Sequence, residues 1–273
     1  MTAPTHDVPV DWAGVAHPPA GAAPRIACLV PSITELLFAL GLGDHVVART
    51  GFCVHPRDAV RAVPKVGGTK DPDVARLRRL APTHLIVNVD ENRRDVVEEI
   101  ARFVPHVVVT HPQGPDDNRR LYALLGAIFG RAGQAAALAA RYDAARAAVD
   151  GAASGWPRER VLYLIWRNTW MTVRADTYVG ATLAAVGWDV VAIADPRRYP
   201  ALDADASAWR EADRILLSTE PYAFTRRDVD ALRARHAKPV QLVDGEWTSW
   251  YGPRAIDGLR ALASLRASAR AAP

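Results

Sequence analysis

The sequence predicts an α/β protein of two similar lobes with mainly parallel sheets, and three observations carry that prediction. One pattern occurs twice: Thr83-His-Leu-Ile-Val-Asn-Val-Asp-Glu91 with Arg93-Arg-Asp-Val96, then Ala212-Asp-Arg-Ile-Leu-Leu-Ser-Thr-Glu220 with Arg226-Arg-Asp-Val229. In each copy an apolar, strand-like run ends in a loop with a glutamate before a helical segment begins. The stretches upstream also correspond. Arg25-Ile-Ala-Cys-Leu-Val30, a helix ending near Gly41 and His45-Val-Val47 match Arg160-Val-Leu-Tyr-Leu-Ile165, a helix ending near Gly187 and Trp188-Asp-Val-Val191. Between the copies lies an alanine-rich helical run, Gln134 to Val149, long enough at about 1.5 Å per residue to join two lobes.

Taken in order, residues 1–24 read as an extended arm, because Pro4, Pro9, Pro18, Pro19 and Pro24 oppose any helix; Trp12 is its one large anchor. Residues 25–115 form the first lobe, with a strand from Arg25, a helix from Ser32 to Leu40 and a strand from His45 to Thr50. A helix from about Asp73, the strand ending near Asp90, a further helix and the strand His106 to Thr110 complete it. Strands alternating with helices imply a parallel sheet covered on both faces. Residues 116–152 are a helical linker containing the long helix, interrupted at Gly130 to Gly133. Residues 153–273 repeat the α/β order and finish in a helix from about Pro253 to Ala269.

Composition excludes several classes. With 49% apolar and 23% charged residues over 273 positions, the chain has ordinary globular composition. A net charge of +4, with arginines scattered among acidic neighbours, reads as solvated helix faces and not as a nucleic-acid surface. No apolar stretch is long enough to span a membrane, and the first 24 residues lack the basic start and apolar run of a signal peptide. Cys28 and Cys53 give no disulfide framework or zinc spacing, and Cys53, His55 and His111 are a weak metal pattern. No nucleophile elbow, dinucleotide fingerprint or phosphate loop is present, so an α/β enzyme is the weakest reading.

Ligands of open α/β sheets collect beyond the carboxyl ends of the strands, which directs attention to the loops there. In the first lobe these carry Pro31, Ser32, Phe52 and His55. In the second they carry Trp166, Trp170, Trp247, Trp250 and Tyr251, a concentration of rings in a chain that is only 7% aromatic. Flat aromatic walls suit a large rigid ligand; some of these five rings belong instead to the core beneath. Glu91 and Glu220 stand at matching places near a helix start, where either helix capping or a shared docking task explains a carboxylate.

Leu29-Val-Pro-Ser-Ile-Thr-Glu-Leu-Leu-Phe-Ala-Leu-Gly41, Arg49-Thr-Gly-Phe-Cys-Val-His-Pro56, Val66-Gly-Gly-Thr-Lys70, Asn88-Val-Asp-Glu-Asn92 and Leu217-Ser-Thr-Glu-Pro221 together resemble the helical-backbone substrate-binding proteins of ABC importers. The closest group is the cobalamin receptors, with siderophore and haem receptors as relatives. The resemblance runs from about Arg25 to Leu265. It implies the class III periplasmic-binding-protein fold, two Rossmann-like lobes bridged by a long α-helix, and a non-enzymatic monomer without a cofactor. Cobalamin or a similar metal chelate is its transported ligand, held in an interlobe cleft where Phe52 and Trp247 match family aromatics; Pro31, Ser32, His55, Trp166, Trp170, Trp250 and Tyr251 are the further ligand candidates that the post-strand loops supply. Glu91 and Glu220 match the glutamates that dock onto ABC permease subunits. Thr69 and Val89 depart from the family, which places aromatic residues nearby in cobalamin receptors. The family implies a periplasmic location, with the true start then lying upstream of these residues; a cytoplasmic chelate carrier or sensor on the same scaffold is the alternative.

Overall fold

A computed structural model describes residues 8–271 and divides the chain into two compact units. The first comprises the chain up to Pro112 together with Asn118–Ala140 and Tyr251–Pro253. The second comprises Gln113–Asp117, Arg141–Trp250 and the chain from Arg254.

The first unit alternates strand and helix: β1 (Ile26–Cys28), α1 (Pro31–Ala39), β2 (Val46–Arg49), α2 (Val74–Leu80), β3 (His84–Asn88), α3 (Arg94–Ala101) and β4 (His106–Thr110). Its sheet runs β2-β1-β3-β4 with every neighbouring pair parallel. The sheet is covered on both faces, so β1 and β3 are buried along their whole length, His84 and Asn88 included. One face packs Ala27, Leu29, Ala48, Leu85 and Val87 against Leu77 of α2 and Ile100 of α3. The helix ends follow local chemistry. Pro31 opens α1, and Gly41 follows it at φ +74°. The Asp73 carboxylate accepts the Arg76 N–H at 2.8 Å to cap α2.

Two helices follow, α4 (Asn118–Ile128) and the 22-residue α5 (Ala132–Ala153), within which the division between the units falls. Gly126 is required here: a Cβ on it would lie 2.5 Å from the Ala135 methyl group, so α4 and the start of α5 meet closely in the first unit.

The arm before β1 is folded onto the first unit. Pro4, predicted as part of the extended arm, lies outside the described residues. Val10 and Ala16 form an antiparallel bridge. The buried Asp11 carboxylate accepts the N–H groups of Ala13, Val15 and Val109 and bonds His17 Nε2 at 3.0 Å. Trp12 donates its backbone N–H to the Val109 carbonyl, and its ring lies 4.1 Å beneath the Arg120 guanidinium. The predicted Trp12 anchor is thus joined by a polar clasp that the sequence did not suggest.

The second unit begins with β5 (Glu159–Trp166) and β6 (Trp170–Thr172), then α6 (Tyr178–Ala185), β7 (Trp188–Val190), β8 (Ala201–Leu202), α7 (Ala208–Glu211), β9 (Arg214–Ser218), α8 (Arg226–His236), β10 (Val240–Val243), α9 (Gly245–Ser249) and α10 (Pro253–Ala271). Its sheet runs β10-β9-β5-β6-β8, with β7 paired to β5 off that path. The first two pairings and β5–β7 are parallel, whereas β5–β6 and β6–β8 are antiparallel. This departs from a simple repeat of the first unit. Asn168, at φ +69°, turns the chain back after Trp166, and Trp170 enters a strand where the sequence suggested a loop. The amino end of β5 is fixed by the Glu159 carboxylate, which accepts from Trp188 Nε1, Arg214 Nε and the buried Arg266. Burial lowers the pKa of the Arg266 guanidinium.

Beside the arm, His84 stacks on His106 at 4.7 Å and meets the Phe129 ring edge-on at 5.1 Å. Burial, then the neighbouring His106 and His17, push its pKa down to about 4. The unfolded chain takes up this proton near pH 6.5, so the folded state loses stability as the pH falls from there towards 4. Thermal melts between pH 7 and pH 4.5 should show a falling midpoint. His84→Phe, which keeps the stacked ring without its titrating nitrogens, should flatten that profile.

Candidate functional site

In the first unit the loops beyond the strand ends are held by buried polar side chains. Arg49, the last residue of β2, donates from Nε to the carbonyls of Val60 at 2.8 Å and Val63 at 3.2 Å. Its Nη1 donates to Cys53 at 2.9 Å and Thr50 at 3.3 Å. One guanidinium thereby satisfies four carbonyls of the loop that carries Phe52 and His55. Asn92 does similar work after β3. Its Nδ2 donates to Thr69 at 2.7 Å and more weakly to Leu29, while its Oδ1 accepts the Asn88 N–H at 2.8 Å. Three post-strand loops converge on this one amide.

The Val66-Gly-Gly segment is close-packed against them. Gly67 has φ +95°, and a Cβ there would lie 2.8 Å from the Asp71 carbonyl; Gly51 donates its N–H to the Gly67 carbonyl. At Gly68 a Cβ would collide with the Asp71 Oδ1, and the Phe52 ring would be in ordinary contact with it at 3.9 Å. Phe52 itself is 64% exposed, and Val54 and Val89 are 44% and 53% exposed. His55 is half-buried in the same loop as Phe52. Pro31 is half-buried and Ser32 buried in the first turn of α1, and the Ser32 Oγ has no hydrogen-bond partner in the protein.

Cys53 lies between two threonine hydroxyls. It is fully buried, its sulfur lies 3.1 Å from Thr34 Oγ1 and 3.2 Å from Thr50 Oγ1, and burial pushes its thiol pKa up. His111 lies instead beside Asp90, with Nε2 to Oδ1 at 3.6 Å. Among the described residues no three His, Cys, Asp or Glu side chains are grouped to hold a metal ion.

In the second unit Trp166 closes β5 with its ring 43% exposed and meets Tyr222 edge-on at 5.6 Å. Tyr222 contacts Phe224, and Phe224 stacks parallel to Trp170 at 6.1 Å. Trp170 then meets the buried Trp209 edge-on at 5.5 Å. The row passes from solvent to core: Trp166 is its open end, and Trp170 packs against the apolar cluster of Leu162, Leu164 and Leu217. Arg167 pairs with Asp228, the residue that completes the Thr225 capping box of α8. Burial opposes ionisation of Asp228, but the Thr225 hydrogen bonds and Arg167 outweigh it and hold the carboxyl below the usual carboxylate range. Trp247 is half-buried on α9.

Trp250 and Tyr251 are each only 6% exposed, and both are engaged with the repeated glutamates. In the second unit Trp250 Nε1 donates to Glu220 Oε2 at 3.1 Å. In the first, Tyr251 Oη donates to Glu91 Oε1 at 2.7 Å. The helix-start explanation for these glutamates requires correction. α3 begins at Arg94 with Arg93 as its cap, and α8 begins at Arg226 behind Thr225, so neither glutamate lies in a first helical turn. Their places also differ by one residue, Glu91 being three beyond β3 and Glu220 two beyond β9.

Sequence reasoning did not single out Arg49 and Asn92, although each stands at one end of a segment that carries the resemblance, because their role is to bond backbone and not to face a ligand. An arginine ending an otherwise apolar strand was the available signal for the first.

Two substitutions test this geometry. Arg49→Ala removes a donor from four carbonyls, of which those of Val60 and Thr50 keep the N–H groups of Val63 and Cys53, and should cost about 3 kcal/mol in chemical denaturation, with proteolysis appearing first within 50–63. Ser32→Ala removes an unpartnered buried hydroxyl and should leave stability unchanged or slightly raised, by less than about 1 kcal/mol.

The sequence matches the family profile described as periplasmic binding protein over residues 26–237. No curated protein matches it. Among solved structures, the periplasmic vitamin B12 binding protein BtuF of Vibrio cholerae is similar, with a TM-score of 0.78 at 16% identity, covering 91% of this chain and 98% of that one. The periplasmic heme-binding protein RhuT from Roseiflexus sp. RS-1 gives 0.75 at 23% identity, over 91% and 99%. A periplasmic heme binding protein from Pseudomonas aeruginosa gives 0.74 at 20% identity, over 88% and 91%.

Proposed function

The chain belongs to the periplasmic binding protein family, in its class III α/β fold, and on that premise we propose that it captures cobalamin or a comparably bulky metal chelate and delivers it to an ABC permease from the periplasm. One observation carries the reading. Outside the arm, the large apolar side chains left exposed among the described residues are Phe52, Val54, Val89 and Trp166, and all four lie at the carboxyl ends of strands. Exposed apolar surface beyond the strand ends of each unit, where ligands of α/β sheets bind, is what capture of a rigid, partly apolar guest requires.

The similar solved structures include both a vitamin B12 binder and haem binders, and haem or a ferric siderophore is the second reading. Val89 and Thr69, standing where cobalamin receptors carry rings, favour keeping it. Phe52, Pro31, Ser32, His55, Trp166 and Trp247 remain the ligand residues of this proposal. Trp170 is assigned to packing, and Trp250 and Tyr251 to holding the glutamates. Glu91 and Glu220 are the permease-docking carboxylates.

Titration of the purified protein with cyanocobalamin, haemin and ferrichrome, followed by tryptophan emission, should show binding of one of them well below millimolar. Affinity no tighter than that, about 4 kcal/mol, ends the proposal. Phe52→Ala and Trp166→Ala should each weaken binding by about 2 kcal/mol, near thirtyfold, with the melting temperature unchanged. Trp170→Ala should instead cost about 3 kcal/mol of stability. Glu91→Ala with Glu220→Ala should leave affinity for the bound chelate intact and abolish its uptake by cells.

A further inference from the structure

We infer that Tyr251 and Trp250 are positioning residues for the two docking carboxylates, each fixing the rotamer in which its glutamate meets the permease; this rests on the docking role proposed above. The phenol of Tyr251 donates to Glu91 at 2.7 Å and the indole of Trp250 donates to Glu220 at 3.1 Å, each pair within one unit. These two donors are consecutive in the chain, a coincidence that helix capping or solvation of two separate glutamates would not produce.

Both donors are held in turn. Beside Tyr251, Gly252 adopts φ +82°, its N–H donates to Asn118 Oδ1 at 2.7 Å, and its carbonyl accepts the Tyr122 hydroxyl at 2.8 Å. Asn118 and Tyr122 are fully buried residues of α4, so the backbone bearing the phenol is tied to the core of the first unit. In the second unit the Arg254 guanidinium lies 5.2 Å over the Trp250 ring and pairs with Glu246 at 2.9 Å. Glu220 is pressed from below as well. A Cβ on Gly245 would come within 2.7 Å of the Glu220 Cβ and 2.8 Å of its nitrogen, and Ser218 Oγ bonds both the carbonyl and the N–H of Glu220.

A glutamate on a surface loop otherwise samples several rotamers, and ordering it on contact subtracts from affinity. A carboxylate already held by a buried donor arrives in its bound geometry. An aromatic donor contributes this without adding a charge that would neutralise the carboxylate.

Tyr251→Phe deletes one oxygen from a buried ring and is the test. In a host lacking its own copy of the gene, uptake of cyanocobalamin, haemin and ferrichrome is measured for the wild type, Tyr251→Phe, Glu91→Ala and the double variant. Affinity for the same three compounds and the melting temperature are measured on the purified proteins. The inference expects Tyr251→Phe to lower uptake at least fivefold at limiting receptor, with affinity and melting temperature unchanged, and to add nothing in the Glu91→Ala background. Trp250→Phe should act likewise through Glu220. Wild-type uptake by Tyr251→Phe alongside defective Glu91→Ala overturns the positioning role and leaves docking intact. Wild-type uptake by Glu91→Ala, or no uptake of any of the three by the wild type, overturns the docking reading and the inference with it.

Discussion

The loops that matter in this protein depend on a requirement of buried backbone: carbonyl groups that leave a strand without a ladder partner need a donor from elsewhere. Arg49 donates to four loop carbonyls, two of which also take a backbone N–H, and Asn92 donates to two more while accepting an N–H itself. Only because these groups are satisfied from within can the same loops leave Phe52, Val54 and Val89 facing outward. A loop that used its exposed residues to satisfy its own backbone would have no apolar surface to offer.

The tryptophans divide according to what their ring nitrogens and faces are given to do. Trp188 is buried with its N–H on Glu159, Trp209 donates to the Asp203 carbonyl beneath a stacked His236, and Trp250 serves Glu220. Trp166 keeps an open ring at the end of an aromatic row whose other members are packed. An exposed indole supported from behind by Tyr222 loses little freedom when it stacks on a ligand. Rings of one residue type are therefore buried in packing, bonded to a carboxylate or left open to solvent within a single unit.

Much of the fold was legible because it rests on period and punctuation. The all-apolar strands, the glycines at 41 and 187 and the proline opening α1 act locally, and they place the elements within a residue or two. The β5–β6 hairpin was not legible, since Arg167-Asn-Thr carries no glycine and the turn depends on Asn168 accepting a left-handed conformation. The candidate site was harder still. Trp170, Trp250 and Tyr251 sit in post-strand stretches as ligand residues should, but their burial is decided by Trp209, Glu220 and Glu91, which lie 30 or more positions away in sequence. Aromatic content marks a region, and only tertiary contact separates a ring that touches a guest from one that holds a neighbour.

The tight approach of Gly245 to Glu220 bears on how such a receptor diversifies. No side chain fits at position 245 without displacing the glutamate's own backbone, so that side of the carboxylate is closed to gradual change. On the docking role proposed for Glu220, divergence towards a differently shaped permease has a route on the indole side, where exchanging one ring for another alters the reach of the acid and spares the strand beneath it.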